Sequence, residues 1–348
     1  MLPVEGQGTL CFKTGNFFNI KKSVSKTRVE NPCNLWQKEC MVLSHFIYRV
    51  LFFLFFSSQV FFAQQITNVN DSIAHKKIKK IIVGATSGVV ATGSLIYLNQ
   101  LWYKPYASGN FHFFNDDDEW LQMDKAGHAF TTYNVGRMMM GAMNNAGFSK
   151  NKSIFIGGSS GLAYMTAIEV MDGFSSGWGF SWGDMAANFG GSALAISQQY
   201  FWDEQRISLK YSFHQTSYPP YRPSELGSAL IEQTIKDYNG QTYWLSVNIS
   251  SFLRKENKFP KWINVAFGYG AEGMISGSNN YVVVNSDGSI IGNNRYRKCV
   301  LSLDVDFTKI KTKSHFLKGV FSVVNCLKIP FPTIEFGNSS VKFSPLYF

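Results

Sequence analysis

"DKAGHAFTTYNVGR", Asp124 to Arg137, sets Asp124, Lys125 and His128 at the head of a stretch that otherwise reads as a buried helix. On a helix Asp124 and His128 are four apart and share a face, with Lys125 at its flank. Two later stretches repeat the pattern. "AIEVMD" places Glu169 and Asp172 three apart. "SWGDMAANFGG" places Asp184 and Asn188 four apart, followed by Gly190 and Gly191, where another backbone can come close. Unpaired charge is costly in a low dielectric, so such groups should meet and neutralise one another. The expectation is one polar cluster of Asp124, Lys125, His128, Glu169, Asp172, Asp184 and Asn188, gathered between helices.

Each piece also has a plainer reading. Ser181 to Asp184 has the spacing of a capping box, and Asp124 suits a helix start. Glu169 and Asp172 suit a solvated last turn, and a lone histidine is often a hydrogen-bonded core residue.

Working outward, "HKKIKK" (75–80) opens a segment with no charge from Ile81 to Tyr103, enough to cross a bilayer. Gly84, Ser87 and Gly88 are small residues that permit close helix approach. Asn99 and Gln100 suit equally a buried helix of a soluble bundle. The acidic run Asp116–Glu119 reads as a solvated turn and helix start, with a cation site as the other reading. Further helices are expected over about 121–145, about 152–171, and from the "GFSSGWGFSWGD" break to about 202. The fold class is α+β: a four-helix, small-residue-rich bundle over 72–203, membrane-embedded or not, then a strand-rich region over 204–348. That region carries one or two amphipathic helices, "SELGSALIEQTIKDY" and "HFLKGVFSVVNCL". It ends in "VKFSPLYF", an aromatic terminus that suits an outer-membrane strand or a soluble sheet.

Composition agrees with an unusual environment. Charged residues make up 16% of the chain and aromatics another 16%, against about a quarter charged in ordinary globular proteins. Residues 1–40 show no sustained period and read as lying upstream of the native start. Met41 to Ala63 reads as a secretory signal peptide: Arg49 is basic, Val50–Phe56 is apolar, and Ala63–Gln64 offers a cleavage point. No cysteine stands at that point to take a lipid. Cleavage would leave Cys299 and Cys326, enough for one disulfide. The net charge of +10 includes seven basic and three acidic residues in 1–63, leaving +6 for the rest. That surplus suits an anionic lipid surface, and no basic run interleaved with aromatics points to nucleic acid.

The motifs "DKAGHAFTTYNVGR", "AIEVMDGFS" and "SWGDMAANFGG", in this order, resemble the YfiM-like family of bacterial envelope proteins, a domain of unknown function. Their Asp-Lys-x-x-His, Glu and Asp-x-x-x-Asn-x-x-Gly elements also look like the VanZ-like membrane proteins associated with glycopeptide resistance. The likeness covers about residues 75–203 and carries over Asp124, Lys125, His128, Glu169, Asp184, Asn188 and Gly191. It departs at Asp172, where VanZ-like chains more often have Gln. It implies export to the cell envelope, periplasmic or outer-membrane associated.

Two functions follow. In the first, the chain is a membrane-associated structural or interaction protein whose polar cluster keeps its helices in register, with a membrane lipid or an envelope protein as partner. In the second, it binds or acts on a phosphate- or pyrophosphate-bearing lipid. Asp124, His128, Glu169 and Asp184 then hold a divalent cation, Mg²⁺ or Mn²⁺, with Lys125 on the phosphate and His128 as a ligand or general base.

Overall fold

The computed structural model describes residues 10–13, 73–103, 106–254, 256, 258–278, 281–285 and 287–348. The expected signal peptide, and all of 1–40 except 10–13, lie outside these residues.

The architecture is mixed α+β. Helix α1 is Ile73–Leu98, continued by a wider π turn over Asn99–Tyr103. Helix α2 is Met123–Asn145, α3 is Gly158–Gly173 with a lead-in from Lys150, and α4 is Trp182–Trp202. Helices α2, α3 and α4 interlock because small residues let their backbones touch. A Cβ on Gly161 would clash with the Thr132 carbonyl of α2, and one on Gly191 with that of Ala129. Ser192 Oγ donates to the Gly158 carbonyl at 2.8 Å, joining α4 to α3.

Helix α1 lies alongside rather than within this trio. Val83 packs against Ala142, Met143 and Ala146 near one end, and Tyr164 Oη donates to Ser94 Oγ at 2.9 Å near the other. The close approach expected at Gly84 and Gly88 is absent, since an added Cβ there would meet nothing within 4 Å. Ser87 reaches α2 only through its hydroxyl, 3.7 Å from Met139 Sδ. The same correction holds for Gly190, whose Cβ position is empty; the tight contact belongs to Gly191 alone. A small residue permits approach, but the face that a neighbour covers is a tertiary fact.

Six strands follow: β1 Ile207–Phe213, β2 Gln241–Val247, β3 Ile263–Glu272, β4 Tyr296–Val305, β5 Phe331–Gly337 and β6 Ser340–Tyr347. They form one antiparallel sheet in chain order. A separate ribbon pairs Leu10–Lys13, Tyr281–Val284 and Ile290–Ile291. The single amphipathic helix expected over 224–238 is two short ones, α5 (Pro223–Leu226) and α6 (Leu230–Lys236). Gly227, at φ 92°, breaks them apart in a conformation that side chains disfavour. The second expected helix is α7, His315–Val324. Cys299 is exposed, Cys326 is buried, and both are free thiols, so the one disulfide that two cysteines would allow is not made.

The helices meet the outer face of the sheet at β1–β3. Phe130 of α2 stacks at 5.8 Å on Tyr211 and 5.7 Å on Tyr243. Met123, wholly buried, packs with Ala271 of β3 and with Met274 just past that strand.

Candidate functional site

The turn that launches α2 is strained. Trp120, Leu121 and Gln122 hold φ values of 46°, 50° and 62°, a left-handed run that L residues rarely sustain. The C-terminal half clamps it. Trp120 N–H donates to the Gly277 carbonyl at 2.8 Å, Tyr269 Oη donates to the Leu121 carbonyl, and Arg297 Nη2 donates to Gln122 Oε1 at 2.6 Å. This turn aims the first two turns of α2, and hence Asp124, Lys125 and His128, at the ends of α3 and α4.

Lys125 Nζ lies 2.7 Å from Asp116 Oδ1, 3.2 Å from Asp184 Oδ1 and 3.8 Å from Asp117 Oδ1. Its ammonium is engaged by carboxylates, so it serves to neutralise them rather than to contact a phosphate. Burial pushes the Asp116 carboxyl up, but hydrogen bonding with Asp184, Lys125 and Ser181 outweighs that and holds it below the usual carboxylate value.

His128 is buried. Its Nδ1 faces Asn188 Oδ1 at 3.2 Å and Glu169 Oε1 at 3.4 Å, while Nε2 points at Asp124 Oδ2, 3.7 Å away. Asn188 Oδ1 also accepts from Thr132 Oγ1 at 3.0 Å. Carboxylates thus face both ring nitrogens; in the neutral form of the ring the acceptors at Nδ1 hold the proton there and leave Nε2 free for a ligand. Asp124 Oδ1 in turn accepts from Tyr238 Oη at 2.6 Å. Burial first, then the Asp124 carboxylate, keeps that phenol protonated, far above its ordinary range.

The capping box is only half formed. Ser181 Oγ accepts from the Asp184 N–H at 3.1 Å, as such a box requires. The reciprocal bond is missing, because Ser181 N–H donates to Glu169 Oε2 at 3.2 Å instead. The Asp184 carboxylate is thereby released from its capping duty and turned into the cluster. Asp172 stands apart from this centre and accepts from Tyr103 Oη at 2.7 Å.

Asp124, His128 and Asp184 each offer one ligand atom, and the three atoms lie within 4.8 Å of one another. Glu169 sits behind His128 and outside this trio. It is 1% exposed; among the described residues its Oε1 has only the 3.4 Å approach of His128 Nδ1 and no hydrogen bond, and Asn188 Nδ2 has no hydrogen-bond partner. Buried polar atoms without partners are exceptions in a purely structural cluster. Two carboxylates and an imidazole suit Mg²⁺ or Mn²⁺ and leave coordination positions for a ligand's oxygens.

The trio lines a cavity of about 760 Å³. Its lining combines the carboxylates of Asp116, Asp124, Asp172 and Asp184 with apolar residues that include Leu98, Met165 and Ile168. Sequence reasoning missed Tyr103, Thr132 and Tyr238, and read Asp116 only as part of a solvated run. The one local signal was Asp116, eight residues before Asp124 in an acidic stretch; Tyr238 is brought in by the sheet.

Residues 112–199, the segment bearing every clustered residue, match the family described as "predicted periplasmic lipoprotein (DUF2279)". The match agrees with export to the cell envelope, on the periplasmic side. No curated protein and no solved structure matches the chain.

Proposed function

We propose that this envelope protein holds a divalent cation at Asp124, His128 and Asp184 and uses it to bind the phosphate-bearing head of a membrane amphiphile. The observation that carries the reading is the placement of three convergent donors on the wall of a cavity lined by both polar and apolar side chains. Asn188 fixes the ring of His128 from behind, and Glu169 stands beside it, as outer partners of a metal site commonly do. Lys125 offsets the surplus negative charge, which keeps the cluster occupiable without a second cation. The apolar walls would take an acyl or prenyl chain while phosphate oxygens complete the ion's coordination.

A structural reading has its own support. Tyr238–Asp124 and Tyr103–Asp172 tie α2 to the C-terminal half and α3 to the end of α1, as a scaffold would.

Metal content and thermal stability separate the two, measured on the purified chain beside Asp124→Asn, His128→Ala and Asp184→Asn. One Mn²⁺ or Mg²⁺ per chain, lost in all three variants while the fold persists, is the expected result. No bound ion in the parent, together with a large loss of stability in the variants, would sink the cation site and leave the cluster as internal architecture.

A further inference from the structure

The sheet is built inside out. Its inward positions are mostly polar: Lys210, Thr242, Ser246, Asn264, Asp304 and Thr333 are at most 1% exposed, around a small apolar cluster of Trp244, Ala266 and Val300. Its outward positions are apolar: Leu245 is 40% exposed, Phe267 53%, Leu303 47% and Phe343 69%. A sheet with one face in water shows the reverse alternation, whereas strands that span a membrane show this one.

The polar face is shut off from solvent. Tyr347 of β6 reaches across to β2, with its ring 5.8 Å from Trp244 and its hydroxyl 3.1 Å from Thr242 Oγ1. The segment leading into β5 covers the free edge of β1, where Tyr211 N–H donates to the Cys326 carbonyl at 2.9 Å and Lys328 N–H to the Tyr211 carbonyl at 2.8 Å. Inside, Lys210 Nζ pairs with Asp304 Oδ2 at 2.7 Å, Ser246 donates to the same oxygen at 2.6 Å, and Asn264 donates to Ser246 at 2.8 Å. Polar groups have thus been enclosed, and the apolar surface displaced outward.

The helices continue this outer surface. Lys76–Leu98 and Lys150–Gly173 are each long and apolar enough to cross a membrane, and 17% of the most apolar part of the first and 33% of that of the second is buried. A core helix of a water-soluble protein would be mostly covered. Strands β3 and β4 have ten residues each, within the nine to eleven or so that a bilayer requires.

Lysines gather at one end of the molecule. Lys80 Nζ, near the start of α1, lies 5.2 Å over Phe148 just past α2, Lys150 Nζ is 3.1 Å from Asp203 just past α4, and Lys309 Nζ is 2.7 Å from Glu204 just before β1. These contacts place lysines of α1, of the lead-in to α3 and of the segment after β4 together, with Asp203 and Glu204 paired to two of them. Asp116, Asp124, Asp172 and Asp184 lie at the other end, where α2 and α4 begin and α3 ends.

We infer that the outward face of β3–β6, together with α1 and α3, sits in the acyl-chain region of a lipid bilayer, with the lysine-rich end at an anionic headgroup layer. Acyl chains are the occupant that this chemistry fits: they need no hydrogen bonds, they cover helix and sheet alike, and phosphate headgroups complement the basic end. The inference does not depend on the cation site.

Spin labels test it in the full chain reconstituted in phosphatidylethanolamine–phosphatidylglycerol vesicles. Each protein carries one labelled cysteine, the others being replaced by serine: native Cys299 in one, and Phe267→Cys, Phe343→Cys or the exposed turn position Asp287→Cys in the rest. The expected result is that labels at 299, 267 and 343 collide freely with dissolved oxygen and at least several-fold less with a water-soluble nickel chelate, while the label at 287 shows the reverse. Free access of the nickel chelate to 299, 267 and 343 would overturn the inference. So would shielding from both reagents, the signature of a protein partner or a second copy on this face.

Discussion

His128 Nδ1 meets Asn188 Oδ1 at 3.2 Å, and the same amide oxygen takes a second hydrogen bond from Thr132 at 3.0 Å. The amide thus presents an acceptor to Nδ1, which favours the ring proton on that nitrogen. The arrangement therefore sets the histidine tautomer as well as its position.

Asn188→Ala should weaken Mn²⁺ binding about 10- to 100-fold, the usual cost of removing a group that orients a metal-bound histidine. Thr132→Val, which removes only the second donor, should cost less. Titration calorimetry of both variants checks the order. Unchanged affinity in Asn188→Ala would show that His128 is oriented by something else.

Gly190 and Gly191 are neighbours with opposite surroundings. Gly191→Ala forces a methyl into the Ala129 carbonyl and should destabilise the fold by about 1–3 kcal/mol, the usual cost of overpacking. Gly190→Ala meets open space and should add about 0.5–1 kcal/mol by helix propensity. Thermal unfolding of the two variants side by side should show shifts of opposite sign.

Lys210 and Asp304 are wholly buried and paired at 2.7 Å. Lys210→Met alone strands a carboxylate inside the sheet and should cost about 3–5 kcal/mol. The double change Lys210→Met with Asp304→Leu should recover most of that loss. Denaturant titrations of single and double variants decide it, and a double variant as unstable as the single one would mean that the pair does more than neutralise itself.

Much of the helical half was legible because its determinants are local. The charge-free run after His75–Lys80, the Gly- and Trp-rich break at 173–184 and the spacing of Asp124 with His128 all act within a few turns. The cluster could be anticipated from the same spacing, since ionisable groups on helices of small residues need partners. Its finer division could not. Whether Asp184 caps its helix or faces the cavity depends on Glu169 taking the Ser181 N–H, a contact made twelve residues away. Tyr238 comes from beyond β1, more than a hundred residues from Asp124. The strands showed a period of two, but period has no sign. Which face of β3 is interior follows from the closure of β6 onto β2 and of Cys326–Lys328 onto β1.

The left-handed turn at Trp120–Gln122 ties the two halves of the chain into one mechanical object. Its three fasteners, Gly277, Tyr269 and Arg297, all lie beyond the strand that first leaves the helices. A chain ending after Asp203 would keep every clustered motif residue and yet lose the clamps that hold Asp124 and His128 in place. The helical half is therefore no portable module. Its charged centre works like a lock whose strike plate is mounted on the sheet, and transplanting the motifs into another bundle would carry the bolt without the frame.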